Sequence, residues 1–272
     1  MDFARRKRKL ALMVILFLLL MLYPIAYLTS LPARNPNWIM VGNIIKLISP
    51  NVYQNFKVKQ KGHRLQWFED LAQQDNIPLH AASGYGYMSE DEYNNMVDQV
   101  LQEMPIEKGD SIFELGCGVG ADLKRIRNNY GEAVAIGGSD LSENAILKIR
   151  ELFPKDATQF HIISMTKKNK RISDNSKDHV ISVGAFAMYL YVDEMEMALK
   201  EAIRITKPGG HLCFTHFVEP NGIAKGSILE PIDKSFWKKI ADRYPIQNLR
   251  VKQMVYYKDR YFVCFSKSKR IL

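Results

Sequence analysis

Between Ser111 and Asp122 the chain reads SIFELGCGVGAD: an apolar run carries Glu114, three glycines follow at alternate positions, Gly116, Gly118 and Gly120, and a helical pattern begins. A strand that turns sharply into a helix, with a ligand laid against its backbone, needs residues without a Cβ at the turn. The loop alone is ambiguous, because Gly116-x-Gly118-x-x-Ala121 also satisfies the dinucleotide fingerprint. Two acids narrow the choice. Glu114 stands just before the first glycine, where a carboxylate would hold the cationic amino group of an amino acid and repel a pyrophosphate. Asp140 follows 24 residues after Gly116, the place from which an acid accepts hydrogen bonds from both hydroxyls of a ribose. The ligand expected here therefore joins an amino acid to a nucleoside.

Positioning such a loop requires a particular scaffold. Short apolar runs at Ser111 to Leu115, Ala133 to Gly137, Thr158 to Ile163, His179 to Val183 and His211 to Phe217 read as strands. Helical periods near Gly120 to Asn129, Glu143 to Leu152 and Glu194 to Arg204 alternate with them, and Ser89 with Glu92 forms a capping box for a preceding helix, Ser89 to Met104. Alternation of this kind predicts parallel strands joined by right-handed crossovers, with ligands at the strands' carboxyl ends. Two further runs, Leu249 to Tyr257 and Tyr261 to Ser266, lie so close that only an antiparallel hairpin joins them. The expected fold class is α/β: a Rossmann-like seven-stranded sheet, mostly parallel with an antiparallel terminal hairpin, flanked by helices and preceded by a membrane-anchor helix.

In these motifs, over roughly residues 85 to 217, the sequence resembles the class I S-adenosylmethionine (SAM) dependent methyltransferases, in particular their small-molecule branch. FELGCGVG is similar to the family's first motif, GSDLSENAI to its second-strand acid motif, ISDNSKDHVIS to the run into its fourth strand, and EAIRITKPGG to the turn before its fifth. The resemblance implies S-adenosyl-L-methionine as cofactor. It implies that Glu114, Gly116, Cys117 and Gly118 cradle the methionine part, with Gly120 closing the loop, that Asp140 binds the ribose, and that Leu141 packs on the adenine. Where the family has an acid for the adenine amino group this chain has Ser164, a weaker acceptor, so Met165 is expected to supply a backbone contact instead.

Methyl transfer from a sulfonium is an in-line displacement, in which positioning and desolvation of the acceptor do much of the work. No residue is assigned as a catalytic base. Gly184, counted with the cofactor residues, and Ala185 fall at the pocket mouth, with Tyr189 beyond and His216 at the end of the fifth strand; an edge histidine bonded to a loop is the commoner role for the last. His211 and His216, five apart on a strand, face opposite sides, and no metal site is expected. The GYGYM run from Gly84 to Met88 falls where the family has a lid, so Tyr85 and Tyr87 either line the site or pack a helix. Phe236 and Trp237 either belong to a substrate-specific insertion or are core.

Leu10 to Leu28 is nineteen residues without a charge, close to the span of a bilayer-crossing helix. It divides the chain into a basic tail at 1–9, an anchor at 10–31, a linker or interfacial segment at 32–59 and the methyltransferase domain at 60–272. Five basic residues before the anchor favour a cytosolic N-terminus and a translocated domain. A cofactor made in the cytosol favours a cytosol-facing domain, which a monotopic hairpin around Pro24 would allow. Of the net charge of +9, residues 1–9 carry +4 and residues 249–272 carry +6, leaving the body at −1. A nucleic-acid groove needs basic side chains along one face, so none is expected, and basic ends suit an anionic membrane. Cys117, Cys213 and Cys264 show no disulfide framework or zinc spacing, and no glycosylation sequon occurs, which leans toward a reducing compartment. The expected partner is a small-molecule or lipid-like acceptor. A catalytically inactive SAM-binding scaffold and an NAD(P)-dependent oxidoreductase are the competing readings.

Overall fold

Strand β1 (Ser111–Leu115) lies inside the sheet, third from one edge, with Ile112, Phe113, Glu114 and Leu115 all buried, the pattern of a strand covered on both faces. In the computed structural model, which describes residues 62–217, 234–255 and 260–269, six more strands surround it. They are β2 (Ala135–Asp140), β3 (Phe160–Ile162), β4 (Lys177–Ser182), β5 (Thr206–Phe217), β6 (Ile246–Gln253) and β7 (Arg260–Lys267). Their order is β3-β2-β1-β4-β5-β7-β6. β1 to β5 pair in parallel, and β7 runs antiparallel between β5 and β6. The order reverses between β1 and β4, so the crevice outside their carboxyl ends is where such a sheet binds ligands. The expected mixed sheet and its antiparallel finish are both present. The expected anchor and linker lie outside the described residues, and among the described residues no helix is long and apolar enough to cross a membrane.

Helix α1 (62–72) leads through a π-helical turn, Ala81–Tyr85, to α2 (Glu90–Leu101). The Ser89–Glu92 capping box is formed from both sides, the Glu92 carboxylate accepting from the Ser89 N–H at 2.9 Å. Then come α3 (Ala121–Tyr130), α4 (Glu143–Leu152), α5 (Ala185–Tyr189), α6 (Val192–Ile205) and α7 (Lys234–Arg243). α4 starts where Ser142 accepts from the Ala145 N–H. α6 buries the expected stripe of Met195, Ala198, Leu199, Ala202 and Ile203.

Three expectations are corrected. β2 lies two to three residues later than its apolar run suggests, because Gly137, Gly138 and Ser139 pair with β1 despite poor strand propensity. β5 begins at Thr206, opposite Lys177, before an irregularity in register puts His211 opposite His179. The antiparallel pairing of β5 with β7 sets Cys213 directly against Cys264, Cα atoms 4.2 Å apart, and the two form a disulfide that their spacing of 51 residues does not advertise.

Candidate functional site

The glycine loop leaves β1 and is tied at once to β2. Gly116 and Cys117 donate their N–H groups to the Ser139 carbonyl at 2.7 and 3.0 Å. Gly116 has φ +77°, and a Cβ there would lie 2.3 Å from the Ala185 Cβ and 2.8 Å from the Met165 methyl. No other residue fits that turn. Asp140 completes the tie, its Oδ2 accepting from the Gly118 N–H and its Oδ1 from the Ser142 N–H, both at 2.9 Å. A carboxylate offers about four lone-pair positions, so capacity remains for a ribose hydroxyl. Burial raises the Asp140 pKa, while the N–H groups of Ser142, Gly118 and Leu141 pull it back.

Beside Asp140, Leu141 is 53% exposed, an unusual setting for a leucine that ends a buried strand. Ile162, paired with Asp140 across β2 and β3, is also exposed, so the same edge offers two apolar faces at the height an adenine ring would occupy. Ser164 turns inward on its own loop, its hydroxyl 2.8 Å from that of Thr166. The Met165 side chain closes on Gly116. Cys117 is buried with its sulfur against Gly138, so only its backbone faces the loop, and burial pushes its thiol up, away from reactivity. Gly120 caps α3 where a Cβ would strike Ile149.

Glu114 is fully buried, and neither carboxyl oxygen makes a hydrogen bond of normal geometry. The side chain facing it is a second acid, Asp122, in the first turn of α3. Asp122 is 4% exposed and accepts at Oδ1 from the Tyr93 hydroxyl at 2.6 Å. Burial, followed by the Asp122 and Asp140 charges, holds the Glu114 carboxyl well above its ordinary pKa. Burial also pushes Asp122 up to about 6, its bonds to Glu114 and Tyr93 limiting the rise. Asp122 and Tyr93 were not singled out from sequence. An acid in a helix's first turn reads there as a favourable end charge, although its position eight residues after Glu114, across one tight loop, was a usable signal.

The other side of the crevice begins at β4. The Ser182 hydroxyl donates to the Leu115 carbonyl at 2.7 Å and accepts from the Phe186 N–H, joining the ends of β1 and β4 to α5. The Gly184 N–H donates to the Thr215 hydroxyl of β5 at 2.5 Å. A Cβ on Gly184 would meet the Tyr85 hydroxyl at 2.0 Å, and one on Gly118 would approach the Ser83 hydroxyl at 3.7 Å. The π-helical turn thus lies across the crevice from the glycine loop to the start of α5. Of its two candidate tyrosines, Tyr85 points in, 5% exposed, and Tyr87 points out at 62%. Tyr189 is half-buried, its ring edge-to-face with Phe68 at 5.1 Å and beneath Arg64 at 5.7 Å. Trp237 is core, stacked against both Phe186 and Phe214. Phe236 is partly buried against the same cluster. The backbone of His216 ends β5, and its side chain lies outside the described residues. Among the described residues no group of acids, histidines and cysteines could hold a metal ion.

Comparisons with known proteins agree with this geometry. Residues 112–210 match the family described as "Methyltransferase domain". A phosphoethanolamine N-methyltransferase 1 of Triticum aestivum is 29% identical over 147 residues, 47% of this chain and 28% of that enzyme. A demethylmenaquinone methyltransferase of Bacillus licheniformis is 29% identical over 123 residues, 45% of this chain and 51% of its own. The chain thus spans about half or less of the length of these curated relatives. The fold is shared with Haemonchus contortus phosphoethanolamine N-methyltransferase 2, solved with phosphomonomethylethanolamine and S-adenosylhomocysteine, at 16% identity and a TM-score of 0.56, over 74% of this chain and 60% of that one. The match over residues 112–210 and these relatives support a class I SAM-dependent methyltransferase, with SAM as its cofactor.

Proposed function

We propose that the protein transfers the methyl group of SAM to a small-molecule or lipid-like acceptor near a membrane. The observation that carries this reading is the two-ended carboxyl edge of the sheet: Asp140 beside the exposed Leu141 at one end, the buried Glu114 behind Gly116 at the other. The two acids suit a ligand with a nucleoside at one end and an ammonium at the other. SAM supplies an electrophilic methyl on a sulfonium. The chain's own residues hold and orient the reactants, and Tyr85, its hydroxyl against Gly184, excludes water from the crevice and orients the acceptor.

The acceptor class follows from the relatives, whose names give a phosphorylated amine and a quinone. The uncharged run from Leu10 to Leu28 supports membrane attachment. Incubating the full chain in detergent with labelled SAM and phosphoethanolamine, demethylmenaquinone or fractionated cell extract tests this. Label should enter a small-molecule or lipid fraction. Tight SAM binding with no transfer to any fraction would leave the scaffold reading in its place.

The domain faces the cytosol in this proposal, where its cofactor is made. A second reading of the topology rests on Cys213 and Cys264, since disulfides persist mainly in oxidising compartments. Five basic residues ahead of the apolar run favour the same translocated orientation. Protease treatment of intact microsomes separates the two: digestion supports the cytosolic placement, and protection until detergent is added supports the other.

A further inference from the structure

The Glu114–Asp122 pair is more than a wall of the cofactor site. Two carboxyls buried side by side with no cation against them cannot both be ionised without a large electrostatic cost. Among the described residues the groups that act on the pair are neutral or acidic: Tyr93 from α2, Asp140 from β2, the Cys117 thiol from the glycine loop, and the Val183 backbone N–H from the end of β4. The two acids are also unequal. Asp122 has a close donor in the Tyr93 hydroxyl at 2.6 Å, whereas neither Glu114 oxygen makes a hydrogen bond of normal geometry, the Val183 N–H lying nearby. A proton on Glu114, donated toward Asp122, satisfies both groups at once.

We propose that Asp122, held by Tyr93, is a positioning residue that keeps one proton on Glu114 in the empty site, and that Glu114 gives this proton to solvent when the cofactor's ammonium comes against it. The bond broken is the Glu114 O–H, the proton passes to buffer, and the new ion pair takes its place. Cofactor affinity then carries a pH dependence set by a residue outside the glycine motif, rising as pH rises until the pair has released its proton. The inference rests on the assignment of SAM as cofactor.

The test is titration calorimetry on the full chain at neutral pH in two buffers of different ionisation enthalpy. S-adenosylhomocysteine, which keeps the ammonium, is compared with methylthioadenosine, which lacks the amino acid. The former should release about one proton per site and the latter none. Asp122→Asn supplies an amide donor in place of the acid, so Glu114 is already ionised and the release should vanish. Tyr93→Phe removes the donor that keeps Asp122 charged, so the midpoint of release should move to higher pH. It serves as the deciding variant should Asp122→Asn fail to fold. Equal heats in both buffers with S-adenosylhomocysteine bound to the wild type would overturn the proposal and leave the cofactor assignment standing. Failure to bind at all would overturn both. Release unchanged in Asp122→Asn, or a midpoint unmoved in Tyr93→Phe, would remove Asp122 from the account.

Discussion

The two sides of the crevice are built in different ways. On the β1–β2 side the ties of the glycine loop are backbone to backbone or backbone to one acid, and they join residues within the 27 positions from Gly116 to Ser142. On the β4–β5 side Tyr85, Gly184, Tyr189 and Thr215 are gathered from a π-helical turn, a loop, a five-residue helix and a strand spread over more than 100 residues. A constant ligand can be gripped by a short segment whose residue types the backbone dictates. A variable one is met by whatever the tertiary fold brings to the opposite wall. The family likeness accordingly reaches the cofactor and stops short of the acceptor.

Substitutions on the two sides should therefore fail differently. Gly116→Val should have the largest effect, because a side chain at φ +77° and 2.3 Å from the Ala185 Cβ cannot be accommodated. SAM affinity should fall by about 3 kcal/mol, roughly a hundredfold or more, in equilibrium binding on folded material. Asp140→Ala removes both the tie to Gly118 and the ribose acceptor, and calorimetry should show a loss of about 1.5–3 kcal/mol. Unchanged SAM affinity in that variant would break the assignment of the β2 end. Gly184→Ala presses a methyl on the Tyr85 hydroxyl, so turnover should fall about fivefold, for about 1 kcal/mol, with SAM affinity little changed. Adding Tyr85→Phe should restore part of the loss, and an equal fall in SAM affinity would blur the division between the sides. Leu141→Ala should cost cofactor binding about 1 kcal/mol by lost apolar contact, while thermal unfolding shows stability unchanged within about 0.5 kcal/mol, since the side chain is exposed without ligand.

The same division explains what was legible in the sequence. Helix Glu143–Leu152 and strand Ser111–Leu115 fall where periodicity and the Ser142 cap put them, because local signals and tertiary packing agree there. α5 is not legible in the sequence: Ala185–Tyr189 sits in an apolar run that continues a strand by pattern, and the Ser182 hydroxyl accepting from the Phe186 N–H is a contact only the fold reveals. α7 was likewise hidden, its Phe236 and Trp237 visible as aromatics without an element to carry them. The Cys213–Cys264 bridge depended on the register of two strands, which spacing alone does not give. Tyr85 and Tyr87 could be separated only once Gly84, at φ +90°, turned one inward and left the other outside.

The claim on which both sides depend is that this sheet edge binds a nucleoside carrying a sulfonium amino acid. Equilibrium calorimetry of the full chain with SAM, S-adenosylhomocysteine and NAD tests it most directly. The first two should bind at one site per chain and NAD should not; folded protein that takes up neither SAM nor its demethylated product would contradict the account.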